Sequence, residues 1–69
     1  MTVEKWIDLT GTAPTVEQAV AEAVDRAGQT LEGISSFTIE QISGVVENGR
    51  ISYRVLVRVA FVLFERFHE

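Results

Sequence analysis

Cysteine is absent from this 69-residue chain, and proline, methionine, tryptophan, tyrosine and histidine each occur once. Without thiols there is no disulfide and no thiolate metal site, so a small domain's usual covalent and zinc staples are missing. The single histidine, His68, sits in the terminal tail. No serine, Ser36 included, has a histidine near it in sequence, so a Ser-His hydrolase is not expected. Basic residues are also scarce: six Lys and Arg against ten Asp and Glu leave a net charge of −4, and the six are scattered. Phosphate-backbone binding needs a basic face, so no nucleic-acid partner is expected. Long apolar runs are lacking too. The longest, Val55 to Phe64, is interrupted by Arg58 and falls well short of the roughly 20 residues of a spanning helix, so no membrane is expected. The N-terminus has neither the basic stretch nor the apolar run of a signal peptide, which together with the missing cysteine predicts a cytoplasmic protein. With no nucleophile–base pair, metal-ligand cluster or glycine-rich phosphate loop in view, no enzyme is expected.

What the chain does have is a strand pattern of unusual length. Ile51, Tyr53, Val55, Val57, Val59, Phe61 and Leu63 place apolar side chains at every odd position, the period-2 signature of a strand with one face in a core. The pattern is read from Ile51 to Arg66, which at about 3.3 Å per residue spans roughly 50 Å. A compact domain of this size is only about 25 Å across. The predicted strand therefore overhangs its own subunit. Its even face begins polar, at Ser52, Arg54 and Arg58, and ends apolar, at Ala60, Val62 and Phe64, so a second subunit is expected to cover that end. Self-association also suits the length, because a lone domain this small buries only about 60 % of its chain surface.

Upstream, Val3 to Thr10 reads as a short strand, with Val3, Ile7 and Leu9 on one face and Glu4, Trp6, Asp8 and Thr10 on the other. Gly11 is read as its end. Thr15-Val16-Glu17-Gln18 matches a capping box, in which hydroxyl and amide reciprocally satisfy free backbone N–H groups; Thr12, with Ala13 or Pro14 in the first turn, competes as the cap. The following apolar series, Val16, Ala19, Val20, Ala23, Val24, Ala27 and Leu31, is the stripe of a helix packed on one side. Its many alanines let it lie close to a sheet. Gly33 is the expected C-terminal cap. A second strand is predicted from Ser36 to Glu47, with Phe37 and Ile39 on one face and a slip in alternation around Glu40 to Ile42 that a β-bulge would restore. Asn48-Gly49 is a strong hairpin signal, since both residues tolerate positive φ. The expected architecture is α+β: one domain over residues 1–69, ordered β-α-β-β, with a three-stranded antiparallel sheet wrapped on one helix. One helix covers one sheet face, which leaves the other, with Trp6, Arg54, Leu56 and Arg58, as the face on which to look for function.

The β-α-β-β order, the Gly11-Thr12-Ala13-Pro14 turn into an alanine-rich helix, the Ile42-Ser43-Gly44 step, the Asn48-Gly49 hairpin and the run Tyr53-Arg54-Val55-Leu56-Val57-Arg58-Val59-Ala60-Phe61 together resemble the dodecins over nearly the whole chain. The resemblance implies a hollow homododecamer with sheets inward and helices outward, bacterial or archaeal, that sequesters riboflavin or FMN and quenches its photochemistry without turning over a substrate. In flavin-binding dodecins a tryptophan near the start of the second strand sandwiches two flavins at a two-fold axis, and a glutamine on the third strand bonds the pyrimidine edge. The chain carries Ser36 at the first position and Arg54 at the second. Serine has no π-face, which forfeits stacking of roughly 1 to 3 kcal/mol, and arginine only donates where glutamine also accepts. Flavin binding is expected to be weak or absent. These departures resemble a dodecin subgroup that lacks the tryptophan and is associated with calcium.

Ser36 and Arg54 are thus the altered pocket positions, and Trp6, Phe37 and Arg58 are ligand or interface candidates. Trp6 offers a ring for stacking. Arg54 and Arg58, about 13 Å apart along one strand face, are expected to pair with carboxylates such as Glu4, Asp8 or Glu40 of another subunit, or to hold a small flat or anionic ligand. For calcium, which takes six to eight oxygens, the candidates are single carboxylates contributed by several copies, among them Asp8, Glu40, Glu47 and Glu65.

Overall fold

The computed structural model describes residues 2–64 of the chain; Glu65, Arg66 and His68, named above, lie outside the described residues. The elements run β1 (Thr2–Ala13), α1 (Val16–Gly28), β2 (Ile34–Glu47) and β3 (Arg50–Phe64), in the expected β-α-β-β order. The three strands form one antiparallel sheet in the order β1-β3-β2. The most apolar strand is therefore central. Val55, Val57 and Val59 on β3 are wholly buried beneath Ala19, Ala23 and Ala27 of α1, and half-buried Ile7, Leu9, Val16, Val20, Val24, Leu31 and Ile34 pack around them.

The helix starts where the sequence predicts. Thr15 is the N-cap, its Oγ1 accepting from the Gln18 backbone N–H at 3.1 Å, so Thr12 is not the cap and instead belongs to β1. The reciprocal half of the expected capping box is different: the Thr15 hydroxyl donates to Gln18 Oε1 at 3.2 Å. At its other end the helix stops at Gly28, and the N–H groups of Gln29, Thr30 and Leu31 turn back onto the carbonyls of Arg26 and Ala27. Gly33 is not the helix cap. It has φ +78°, and its carbonyl accepts from the Val62 backbone N–H at 3.0 Å, tying the entry of β2 to the end of β3.

Gly11 likewise has another role than the one expected. It lies inside β1, paired with Val55, and a Cβ there would overlap the carbonyl oxygen of Ala19. The glycine seats the helix on the strand. The predicted bulge is present as a register shift between Ile39 and Gln41, and a second shift falls between Ile34 and Ser36. Asn48 and Gly49, with φ of 53° and 75°, make the hairpin turn.

At 1.5 Å per residue the thirteen-residue helix is about 20 Å long, against about 50 Å for the fifteen residues of β3, and the described chain extends 62 Å along its longest axis. The helix lies over β1 and β3 and hardly meets β2. On the helix side, Phe37, Ile39, Ile42, Val46 and Ile51 stay exposed as a result. The even face of β3 is covered more locally than expected: Ala60 is buried and Val62 half-buried within the protomer. No helix among the described residues is long and apolar enough to cross a membrane.

Candidate functional site

Strand register arranges the sheet face opposite the helix into cross-strand rows. Directly opposed residues in an antiparallel pair point to the same side, so the rows read Trp6–Ala60–Ser36, Asp8–Arg58–Thr38, Thr10–Leu56–Gln41 and Thr12–Arg54–Ser43. Four of the five candidates share this face. Phe37, paired with Val59, points to the helix side instead, 50 % exposed beside α1, and is separated by the sheet from Ser36 and Arg54.

Trp6 and Ser36 occupy the two ends of one row, flanking the buried Ala60. At about 4.8 Å per strand the two backbones are roughly 10 Å apart. Trp6 is 61 % exposed, the one aromatic in a row whose other two members, Ala60 and Ser36, are small. One row on, Arg58 donates from Nε to Asp8 Oδ1 at 3.0 Å and from Nη2 to Asp8 Oδ2 at 3.3 Å. This fork-to-fork pair is made inside one protomer, where an inter-subunit pair was expected. The guanidinium hydrogen bonds hold the Asp8 carboxyl below the usual carboxylate range, and the same bonds, with the charges of Asp8 and Glu40, hold Arg58 more firmly protonated.

Arg54 makes no ion pair with any described residue. It lines a recess of about 260 Å³ with Thr10, Gln41, Ser43 and Leu56. Gln41 was missed in the sequence reading, although the signal was there: the bulge at Glu40 adds one residue, so the β2 positions on the face opposite the helix change from Ser36 and Thr38 to Gln41 and Ser43. Carrying the predicted slip through would have put an amide beside Arg54.

The acidic candidates are dispersed. Asp8 is engaged by Arg58, Glu40 sits on the bulge, Glu47 is at the far end of β2 opposite Arg50, and Glu65 lies outside the described residues. Among the described residues no three potential metal ligands gather, whereas calcium takes six to eight oxygens.

The dodecin family model matches residues 3–64. The chain belongs to the dodecin family. Among curated dodecins, the calcium dodecin of Mycobacterium tuberculosis is 46 % identical over 63 residues, covering 88 % of this chain and 89 % of that one. A solved structure of calcium dodecin from the same organism, described as calcium-chelating with a novel calcium-binding site, matches with a TM-score of 0.77 at 41 % identity over 86 % of this chain and 87 % of its own. Dodecin from Streptomyces coelicolor superposes with a TM-score of 0.85 at 34 % identity, covering 94 % of this chain and 96 % of its own. The β-α-β-β fold is thus the dodecin fold.

Proposed function

We propose that this dodecin is a single-domain, non-catalytic protein that assembles with eleven copies of itself into a hollow shell, sheets inward, and sequesters a small flat or anionic ligand on the inner face. The observation that carries this reading is a sheet about two and a half times as long as the single helix, which covers only one of its faces. It leaves Trp6, Ser36, Arg54 and Arg58 on an open face and an apolar strip of β2 uncovered beside the helix. Buried inter-subunit surface would offset the thin core of so short a chain. The absence of cysteine suits a reducing compartment, and we place the shell in the cytoplasm.

Flavin is the family ligand suggested by the resemblance, and the residues here fit it poorly, because Ser36 offers no ring and Arg54 no acceptor. Native mass spectrometry reads the assembly; a stable monomer or dimer overturns the shell. Titration of FMN and riboflavin against flavin fluorescence reads the pocket, with weak or no binding expected for the native protein and tighter binding for Ser36→Trp. Tight riboflavin binding by the native protein overturns the altered-pocket reading.

The similarity to calcium dodecin favours a second reading, a flavin-free shell stabilised by calcium. Because the described acids of one protomer are dispersed, the ion would draw oxygens from several copies. A rise in melting temperature with calcium, reversed by a chelator, supports it by mass action. An unchanged melting temperature ends it.

A further inference from the structure

We infer that the recess around Arg54 is a recognition site for a phosphate-class oxyanion, and that Gln41 completes it. The inference rests on the reading that the inner face holds a small ligand, and it names what part of that ligand is held. The two arginines of this face are not equivalent. Arg58 spends both arms of its fork on Asp8, whereas Arg54 makes no ion pair with a described residue in a chain whose net charge is −4. An unneutralised guanidinium is a strong bidentate donor for phosphate or carboxylate.

Its neighbours add donors. Ser43 is directly opposite Arg54 on β2, Thr10 and Gln41 lie in the next row, and all four line one recess. Diagonal neighbours in an antiparallel sheet are about 7 to 8 Å apart, within reach of an arginine or glutamine side chain. Two hydroxyls, a carboxamide NH₂ and five guanidinium N–H groups converge where no carboxylate of the lining accepts them. Leu56 is the apolar member of the lining. The recess volume, about 260 Å³, is below the roughly 300 to 1,000 Å³ of pockets that enclose a drug-sized molecule and suits one oxyanion group. Gln41 stands here because the extra residue at Glu40 shifts the alternation of β2.

The competing occupant is a carboxylate of a neighbouring copy. Two comparisons on the assembled protein separate them. Calorimetric titration with FMN and with riboflavin isolates the phosphate, because the ring is common to both; inorganic phosphate tests the oxyanion without a ring. FMN is expected to bind roughly 10- to 100-fold more tightly than riboflavin, the range of one or two charged hydrogen bonds. Arg54→Gln is expected to abolish that preference and inorganic phosphate binding, with riboflavin affinity equal to or above the native value because glutamine restores the amide that both donates and accepts. Gln41→Ala should reduce the preference, and Arg58→Gln should keep it. Native mass spectrometry checks that each variant still assembles, and Arg54→Lys, which retains charge and loses the fork, serves if Arg54→Gln does not. Equal affinity for FMN and riboflavin, with or without tight binding, overturns the oxyanion site and leaves the shell standing. So does the absence of binding by either flavin and by inorganic phosphate, or a preference that survives Arg54→Gln.

Discussion

Asp8 and Arg58 lie 50 residues apart in sequence and meet because β1 and β3 pair in register. Both side chains are 43 % exposed, so the pair is screened by water and salt and is a modest stabiliser. Its sign with pH is nevertheless defined. The Asp8 carboxyl has a lowered pKa in the folded chain, chiefly through its hydrogen bonds to Arg58. Its contribution is therefore present above the ordinary carboxylate pKa of about 3.9 and is lost as pH falls through the lowered value. Asp8→Asn is expected to melt lower than the native protein at neutral pH and low salt, and the two melting curves should converge in strong acid. A difference that persists unchanged into strong acid would show that Asp8 acts through packing instead. Arg54, on the same strand face, has no such partner among the described residues.

At the scale of elements, α1 depends on how closely it approaches β1. Gly11 has no side chain, and a methyl there meets the Ala19 carbonyl, which is helix backbone and cannot swing aside. Gly11→Ala is expected to cost about 1 to 3 kcal/mol, the usual range for overpacking, read as a lower denaturation midpoint with an unchanged slope. The cap is a smaller lever: Thr15→Ala removes the acceptor for the Gln18 N–H and should cost about 1 kcal/mol. The same elements show why parts of the fold were legible in the sequence. The Thr15 cap, the Asn48-Gly49 turn and the alternation of β3 are local signals, each complete within a few residues. Gly11 was read as a strand end because a glycine needed for a close approach looks in sequence like a glycine needed for a turn. The end of α1 was placed too late because Leu31 and Gly33 continue the stripe and its punctuation in a non-helical segment. Of the site, the shared face of Trp6, Arg54 and Arg58 followed from period-2 counting within strands. The Trp6–Ala60–Ser36 row and the Arg54–Gln41 neighbourhood did not, since they need the register between strands, and one bulge residue decides which β2 side chains lie opposite the helix.

For the whole molecule, the exposed helix-side strip bears on assembly. Ile39 is 41 % exposed beside the wholly buried Val57 with which it pairs. An aspartate there would be tolerated by a lone protomer in water and would be costly in a dry interface. Ile39→Asp is expected to yield a folded species of lower mass in native mass spectrometry, with far-UV circular dichroism preserved. Retention of the native mass would place the subunit contacts elsewhere. The strand order has a consequence in time as well as in space. Because β3 lies between β1 and β2 and follows both in the chain, a ribosome releases both edge strands before the strand that pairs with them exists. No ladder can close until the final strand emerges, since the pairing of β1 with β3 joins Thr2 to Phe64. The β1–β3 ladder, the most non-local pairing of the fold, therefore closes only after β3 has emerged. During that interval the apolar strip of β2 is unprotected, and neighbouring nascent chains on one message are the first partners within its reach.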